Sequence, residues 1–302
     1  MNWSRLFKIL DNPVAKKIYV GFTYVCAVIP DKPYLKLLYR IRTGSSLDLK
    51  NPSTFNEKIQ YLKLYEKKVD HSYMTDKVRV RDYVCSRIGE EHLIPVIGVY
   101  NRLEDIDIDS LPEEFVIKCT HDSGSVVICH GKEDLLNNRA RLKNAQKRKY
   151  YLSGREYSYK GITPKFIIEQ KLVNDETKGL RDYKFYCFGG EPRYLYISEG
   201  LQDHSTAAIS FFDLDMRRMP FHRADYRELD YDPVKPAGYD EMIEISRKLS
   251  AGHPFVRVDL YEVDGHVYFS ELTFTPCSGY MPFEPKEYDR KLGEELRLLD
   301  YM

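Results

Sequence analysis

The stretch Val256–Gly279, VRVDLYEVDGHVYFSELTFTPCSG, reads as two apolar strands around an Asp-Gly turn. Each strand carries an acid where the pattern calls for an apolar residue, Asp259 on the first and Glu271 on the second. Alternation puts Arg257, Asp259 and Tyr261 on one face and Val256, Val258 and Leu260 on the other. On the return strand Val267, Phe269, Glu271 and Thr273 share a face. Whether the two acidic faces coincide depends on the loop. A two-residue Asp264-Gly265 turn pairs Val258 with Glu271 and sends the acids to opposite faces. A three-residue loop, Val263-Asp264-Gly265 with Gly265 left-handed, pairs Arg257 with Glu271 and turns Arg257, Asp259, Glu271 and Thr273 one way. The three-residue loop is the expectation. Two carboxylates on a dry sheet face are costly unless paired. A divalent metal resolves the cost, and Mg²⁺ on one or two carboxylates ordinarily binds substrate phosphates as well. A salt-bridged triad at a sheet rim is the competing explanation.

Further polar elements precede the hairpin. EEFVIKCTHDSGSVVICH is a strand carrying Lys118, a loop of Asp122, Ser123, Gly124 and Ser125, and another strand. A glycine between small hydroxyl residues lets backbone N–H groups turn toward a phosphate, and a lysine supplies a point charge for its oxygens. No GxxxxGK[ST] loop occurs. PKFIIEQKLVND is an apolar strand ending in Glu169, an acid able to accept from an adenine amino group or a ribose hydroxyl. LRDYKFYCFGGEPRYLYIS sets Asp182 and Lys184 on one strand face and leads through a Gly189-Gly190 turn to Arg193. A solvated sheet face is the ordinary fate of such charges.

The 302 residues carry zero formal net charge and are 43% hydrophobic, enough for one large or two medium domains and without the basic excess of a nucleic-acid holder. The 25 tyrosines suit a surface for sugars, although core packing is their commoner use. Six cysteines without a CxxC pair read as free thiols in a reducing cytosol, and the scattered histidines give no zinc pattern. The uncharged run from Ile18 to Pro30 is shorter than the ~20 residues a spanning helix needs. A helix packed on the main domain is expected there, with peripheral membrane contact through residues 5–30 as the alternative. NPSTFNEKIQYLKLYE reads as a helix capped by Ser53 or Thr54, and TDKVRVRDYVCSRIG as a second helix stopped by Gly89. Strands dominate from Phe115 onward, interrupted by the charged helix KEDLLNNRARLKNAQKRKYYL and by GYDEMIEISRKLSAG, whose Met242, Ile245 and Leu249 share a face. An α+β chain is the coarse picture.

The order of these parts resembles the ATP-grasp superfamily and, more narrowly, its TupA-like group, found among enzymes of bacterial surface polysaccharide assembly. NPSTFNEKIQYLK, TDKVRVRDYV, VIKCTHDSGSVVI, IIEQKL, RDYKFYCFGGEP and RVDLYEVDGHVYFSELTFTPCSGY carry the resemblance, from about Asn51 to Gly293. It implies an ATP-grasp fold in which two α+β subdomains clamp ATP behind a helical N-terminal region. Residues 1–50 would be an extension and 51–114 a helical region, with the ATP-grasp domain at 115–302 split into subdomains of about 115–168 and 169–302. Lys118 would contact the phosphates under the loop Asp122, Ser123, Gly124 and Ser125. Glu169, Gln170, Lys171 and Leu172 would form the adenine hinge, with Asp182 and Lys184 completing the nucleotide site. Asp259, Glu271 and Thr273 would hold one or two Mg²⁺ ions, for which Mn²⁺ is a compatible substitute. Thr273 stands where many ATP-grasp ligases have asparagine, which loosens the two-metal expectation. Arg257, Lys184 and Lys118 would be the catalytic charges.

The implied reaction joins a carboxylate to an amine through an acyl phosphate, in the cytoplasm or at the inner membrane face. The substrates would be a sugar acid, an amino acid, or a lipid- or nucleotide-linked glycan precursor in capsule, O-antigen or teichuronopeptide synthesis. The alternatives are a kinase, a non-catalytic nucleotide-binding module and a glycosyltransferase using the DxD Asp213-Leu214-Asp215. A hairpin turn is the preferred reading of that DxD. Acceptor candidates are His204, Arg217, Arg218, His222 and Arg223, together with Thr275, Ser278 and Gly279, while Cys277 reads as a packed thiol.

Overall fold

A computed structural model describes residues 21, 23–66, 71–173, 180–200 and 206–298. His204 and most of the 5–30 segment lie outside the described residues. Among the described residues no helix is long and apolar enough to cross a membrane.

The N-terminal part is helical: α1 (Asp31–Thr43), α2 (Phe55–Tyr65), α3 (His71–Thr75) and α4 (Val80–Ile88). Thr54 caps α2. Its hydroxyl accepts from Glu57 N, and the Glu57 carboxylate accepts from Thr54 N at 3.1 Å, a reciprocal box worth about 1 kcal/mol. Behind this cap Phe55 and Ile59 are fully buried, each contributing roughly 2 kcal/mol. Helix α1 buries Tyr34, Leu35, Leu38 and Tyr39 against Leu47, Leu49 and Tyr280, which ties the N-terminal region to the chain's far end.

Two antiparallel sheets follow. The first contains β1 (Val96–Tyr100), β2 (Phe115–Cys119), β3 (Val127–Cys129) and β4 (Phe166–Gln170) in the order β1-β4-β2-β3. Its apolar face, including Phe115, Ile117, Phe166 and Ile168, packs on Leu135 and Leu142 of α5 (Lys132–Gln146). The opposite face carries Lys118 and Glu169. A short helix α6 (Tyr151–Gly154) connects α5 toward β4.

The second sheet contains β5 (Asp182–Phe188), β6 (Glu191–Glu199), β7 (Ala208–Asp213), β9 (Phe255–Val263) and β10 (His266–Thr273), in the order β10-β9-β5-β6-β7. A small ribbon pairs β8 (His222–Arg223) with β11 (Phe283–Glu284), and the described chain finishes with α8 (Glu287–Glu295). One face of the second sheet buries Phe185, Val256, Val258 and Leu260 under Met242, Ile245 and Leu249 of α7 (Tyr239–Ser250). The other face begins with Asp182 and Lys184 and passes into an aromatic cluster of Tyr186, Phe188, Phe55 and Phe255. The chain is α+β.

The β9–β10 hairpin corrects the expected loop. Val263 pairs with His266, so the turn is the two-residue Asp264-Gly265, with φ of 52° and 80°. Both central residues are left-handed, as a type I′ turn requires. Pairing then continues to Phe269 opposite Leu260, slips at Ser270, and resumes with Glu271 opposite Asp259 and Thr273 opposite Arg257. Ser270 is a β-bulge. Val267 and Phe269 therefore share the core face with Leu272 and Phe274, not with Glu271 and Thr273. The bulge restores what a plain two-residue turn would lose, and the two acids meet directly across the strands.

Candidate active site

The polar face of the second sheet is built by register. Lys184 on β5 lies opposite Asp259 on β9, and Asp259 lies opposite Glu271 on β10, so one row crosses three strands. Lys184 Nζ contacts Asp259 Oδ2 at 2.7 Å and Asp182 Oδ1 at 3.1 Å. Arg257 donates from Nε to Asp259 Oδ1 and from Nη2 to Asp259 Oδ2, both at 2.6 Å. Its Nη2 also reaches Thr273 Oγ1 at 3.0 Å and Glu271 Oε1 at 3.2 Å, and Thr273 Oγ1 donates to Glu271 Oε1 at 3.0 Å. Asp182, Asp259 and Glu271 against Lys184 and Arg257 leave one net negative charge.

Burial and pairing oppose each other here. Burial pushes the Asp259 carboxyl up despite the pull of Arg257 and Lys184. At Glu271 burial also acts upward, but Arg257 and Lys184 outweigh it and the carboxyl lies below its ordinary value. Burial likewise works against the Lys184 ammonium, yet Asp182 and Asp259 hold its pKa well above the usual lysine range.

The two acids differ as metal ligands. The Asp259 side chain is fully buried with both oxygens occupied by cations, so it binds a metal only if Lys184 or Arg257 gives way. Glu271 is about one third exposed, its bonds go to Oε1, and with Thr273 it lines a cavity of about 280 Å³. That pair of oxygen donors fits Mg²⁺.

Lys118 and Glu169, expected at the phosphates and at the hinge, meet each other at 2.7 Å on the first sheet. Glu169 points from the face of β4, with Arg81 3.8 Å away. Burial acts to lower the Lys118 pKa, but Glu169, Tyr261 and Glu271 raise it overall, so this lysine senses the second sheet. Gln170 donates its N–H to Pro95 O, and Lys171 forms a surface ion pair with Glu114 at 2.5 Å. Leu172 is half-buried beside them. In the glycine loop Asp122 is buried and its carbonyl accepts from Lys77 Nζ at 2.6 Å, while Ser125 Oγ bonds both Cys119 N and Asp122 Oδ1. Ser123 and Gly124 are exposed, and Ser123 reaches the cavity.

Among the acceptor candidates, Arg223, Thr275 and Ser278 line the cavity, and Asp225 holds Arg223 through two bonds of 3.0 and 2.7 Å. Gly279 is buried against Gln60 instead, and Cys277 lines the cavity with its thiol pushed up by burial. Arg217 pairs with Asp215, Arg218 with Asp232, and His222 lies near Glu228 and Glu284, all outside the cavity lining. Arg193 faces Glu295 at 3.9 Å on the surface. The DxD is a turn: Asp213 Oδ1 accepts from the N–H groups of Asp215 and Arg217 at 2.9 and 2.8 Å, beyond the edge strand farthest from Glu271.

Several residues escaped the sequence reading. Arg42 from α1 lines the cavity, as do Tyr150, Glu156 and Tyr159. On α2, Asn56, Gln60 and Lys63 form a buried polar ladder that bonds Met281 O, Gly279 O and Ser278 O, holding the loop after β10. The available signal was their 4- and 3-residue spacing beside Phe55, Ile59 and Leu62, which puts polar groups on the helix's inner edge. The scattered histidines also converge more than expected. Glu66, His71 and His253 bring ligand-type atoms within 4.8 Å of one another. Burial raises the Glu66 carboxyl to about 7 and lowers His253 to about 4, and both imidazole rings pack on Phe274.

Comparison with known proteins adds the family. No curated protein matches the chain. Among solved structures it is similar to the D-alanine–D-alanine ligase of Bacillus anthracis complexed with ATP, at 14% identity and TM-score 0.42, over 74% of this chain and 65% of that one. It is also similar to the ATP-grasp ligase PsnB complexed with minimal precursor, at 12% identity and TM-score 0.41, over 79% and 66%. A third is the ADP complex of N5-carboxyaminoimidazole ribonucleotide synthetase, at 13% identity and TM-score 0.40, over 72% and 51%. The matches thus span less than two thirds of those chains. The family model described as TupA-like ATPgrasp matches residues 57–297, and the chain belongs to that ATP-grasp family.

Proposed function

We propose that the protein is an ATP-dependent ligase joining a carboxylate to an amine through an acyl phosphate. The observation that carries this reading is the row Lys184–Asp259–Glu271 with Asp182 and Arg257, bearing one net negative charge beside an open cavity. Phosphoryl transfer needs positioning and charge neutralisation more than covalent help from the protein. In this reading the first sheet is one jaw and the second sheet the other. Lys118 exchanges Glu169 for phosphate oxygens, and the 122–125 loop covers them and excludes water from the acyl phosphate. Segment 169–172 serves the adenine and Asp182 the ribose. Arg257, already oriented by Asp259, presents its Nη2 side to the reacting phosphoryl group. Mg²⁺, when bound, would neutralise phosphate charge from Glu271 and Thr273. The carboxylate attacks the γ-phosphorus, ADP leaves, and the amine then displaces phosphate.

The acceptor belongs in the cavity. Arg42 and Arg223 offer anion partners, Glu156 and Asp225 offer partners for an amine, and Tyr150 and Tyr159 offer ring faces for a sugar. A sugar acid, amino acid or carrier-linked glycan precursor of surface polysaccharide assembly matches this lining, and such work would be done in the cytoplasm near the membrane. The test is ADP release screened across uronic acids, amino acids and amines, with product mass. A product joined through an amide, with one ADP and one phosphate released, supports the ligase. A stable phosphorylated acceptor without amide overturns it in favour of a kinase.

A further inference from the structure

The loop that follows β10 has an unusual backbone. Cys277, Ser278 and Gly279 are consecutive left-handed residues, with φ of 50°, 53° and 66°. Such strain for two non-glycine residues costs on the order of 1–3 kcal/mol each and persists only where surroundings impose it. Here Gln60 bonds the carbonyls of Ser278 and Gly279, and Lys63 bonds Ser278 from beneath. The strained turn aims Ser278 into the cavity from above Lys63.

Lys63 Nζ makes three contacts: Gly154 O at 2.9 Å, Ser278 O at 2.6 Å and Ser278 Oγ at 2.8 Å. Gly154 is required for this approach, since a Cβ there would come within 2.1 Å of Ser278 Oγ. The three contacts suit both protonation states. An ammonium donates to all three oxygens, whereas a neutral amine donates to the two carbonyls and accepts the Ser278 hydroxyl proton. We propose that Ser278 and Lys63 form the proton-accepting pair for the attacking nucleophile of this site.

In the step assigned to them, the acceptor N–H gives its proton to Ser278 Oγ as the Ser278 proton passes to Lys63. The nitrogen–carbon bond forms, the bond from acyl carbon to phosphate oxygen breaks, and phosphate leaves. Burial pushes the Lys63 pKa down to about 7, against the pull of Glu156 and with the repulsion of Arg42. The Tyr280 ring also packs on Nζ, 5.1 Å from its centroid. On the cavity side Ser278 faces Arg223, Asp225, Arg257, Glu271 and Cys277, together with Tyr150 and Tyr159.

The step rests on the ligase reading, but its test needs no substrate. Lysine labelled with ¹³C at Cε is titrated by NMR in the full-length protein, Lys63 being assigned from Lys63→Arg and from its shift in Ser278→Ala. The expected midpoint is near 7, about three units below an ordinary lysine. A fluorophosphonate probe then reports the serine: the Oγ–P bond forms, fluoride leaves, and Lys63 takes the proton. Labelling at Ser278 should rise about tenfold between pH 6 and pH 8 and vanish in Ser278→Ala and Lys63→Arg. Arginine keeps a cation at the carbonyls but takes up no proton. A Lys63 midpoint above 9, absent or pH-independent labelling, or labelling that survives Lys63→Arg overturns the proposal and leaves Lys63 a strut. Thermal shift by Mg²⁺·ATP is read separately, so loss of nucleotide binding, which would sink the ligase reading, is not confused with this result.

Discussion

Replacing Asp259 with asparagine, set beside Glu271→Gln, separates the buried counter-ion of the site from its proposed metal ligand. The Asp259 side chain is fully buried and accepts three short bonds from Lys184 and Arg257, at 2.7, 2.6 and 2.6 Å. Asparagine keeps the volume, so no cavity opens, but it removes the charge and turns an amide NH₂ toward donors. Breaking a buried ion pair from one side costs about 3–5 kcal/mol. Lys184 keeps Asp182 at 3.1 Å and Arg257 keeps Glu271 at 3.2 Å, which favours the lower end, about 3 kcal/mol. At roughly 2 °C per kcal/mol for a chain of this size, the melting temperature should fall by about 6 °C. Glu271→Gln is the paired control. Glu271 is a third exposed, so its loss should cost under about 1 kcal/mol while abolishing the stabilisation given by Mg²⁺·ATP. Calorimetry of both variants, with and without Mg²⁺·ATP, reads the two effects. If Glu271→Gln melts lower than Asp259→Asn, or Asp259→Asn falls by less than 2 °C, the division into buried counter-ion and exposed ligand is wrong.

Deleting Ser270 should remove the bulge yet leave Glu271 opposite Asp259 and Thr273 opposite Arg257, because Phe269 and Glu271 then alternate directly, so Mg²⁺·ATP binding by calorimetric titration should persist, and its loss would refute the register argument. Lys118→Met should weaken ATP binding by at least about tenfold in the same titration, since the lysine's charge is lost to the phosphates; unchanged affinity would confine Lys118 to its pair with Glu169. Burial raises the Asp289 carboxyl to about 6, against the hydrogen bonds from Asn56. A folded pKa above the unfolded one gives stability that is full below about pH 4 and lost as pH rises through 6. Melting temperatures of wild type relative to Asp289→Asn should therefore decline from pH 4 to 6 and level off above, and a flat difference would contradict the shift.

The local grammar of the chain is legible in its sequence. Thr54 with Glu57 announces the start of α2, Met242, Ile245 and Leu249 announce α7, and Gly189-Gly190 announces the β5–β6 turn. These signals depend on residues within a few positions of one another, and local sterics decide them. The bulge leaves a subtler trace, which the expectation of a three-residue loop misses. Apolar residues fall at 267 and 269 and then at 272 and 274, so the alternation slips by one between the two pairs.

The sequence by itself determined that acids and cations sit on strand faces otherwise built for a core: Asp259, Glu271, Lys184 and Arg257 are each visible as exceptions to an apolar alternation. Which of them meet was decided only by tertiary structure. Lys184 finds Asp259 because β5 pairs with β9 across some seventy intervening residues, and Lys118 finds Glu169 because β2 pairs with β4. Arg42 and Lys63 reach the cavity and its loop from helices that the chain's order places far from β10. Charge and periodicity are properties of a segment, but a site is a property of register and packing between segments, and those are set by the burial of the whole core at once.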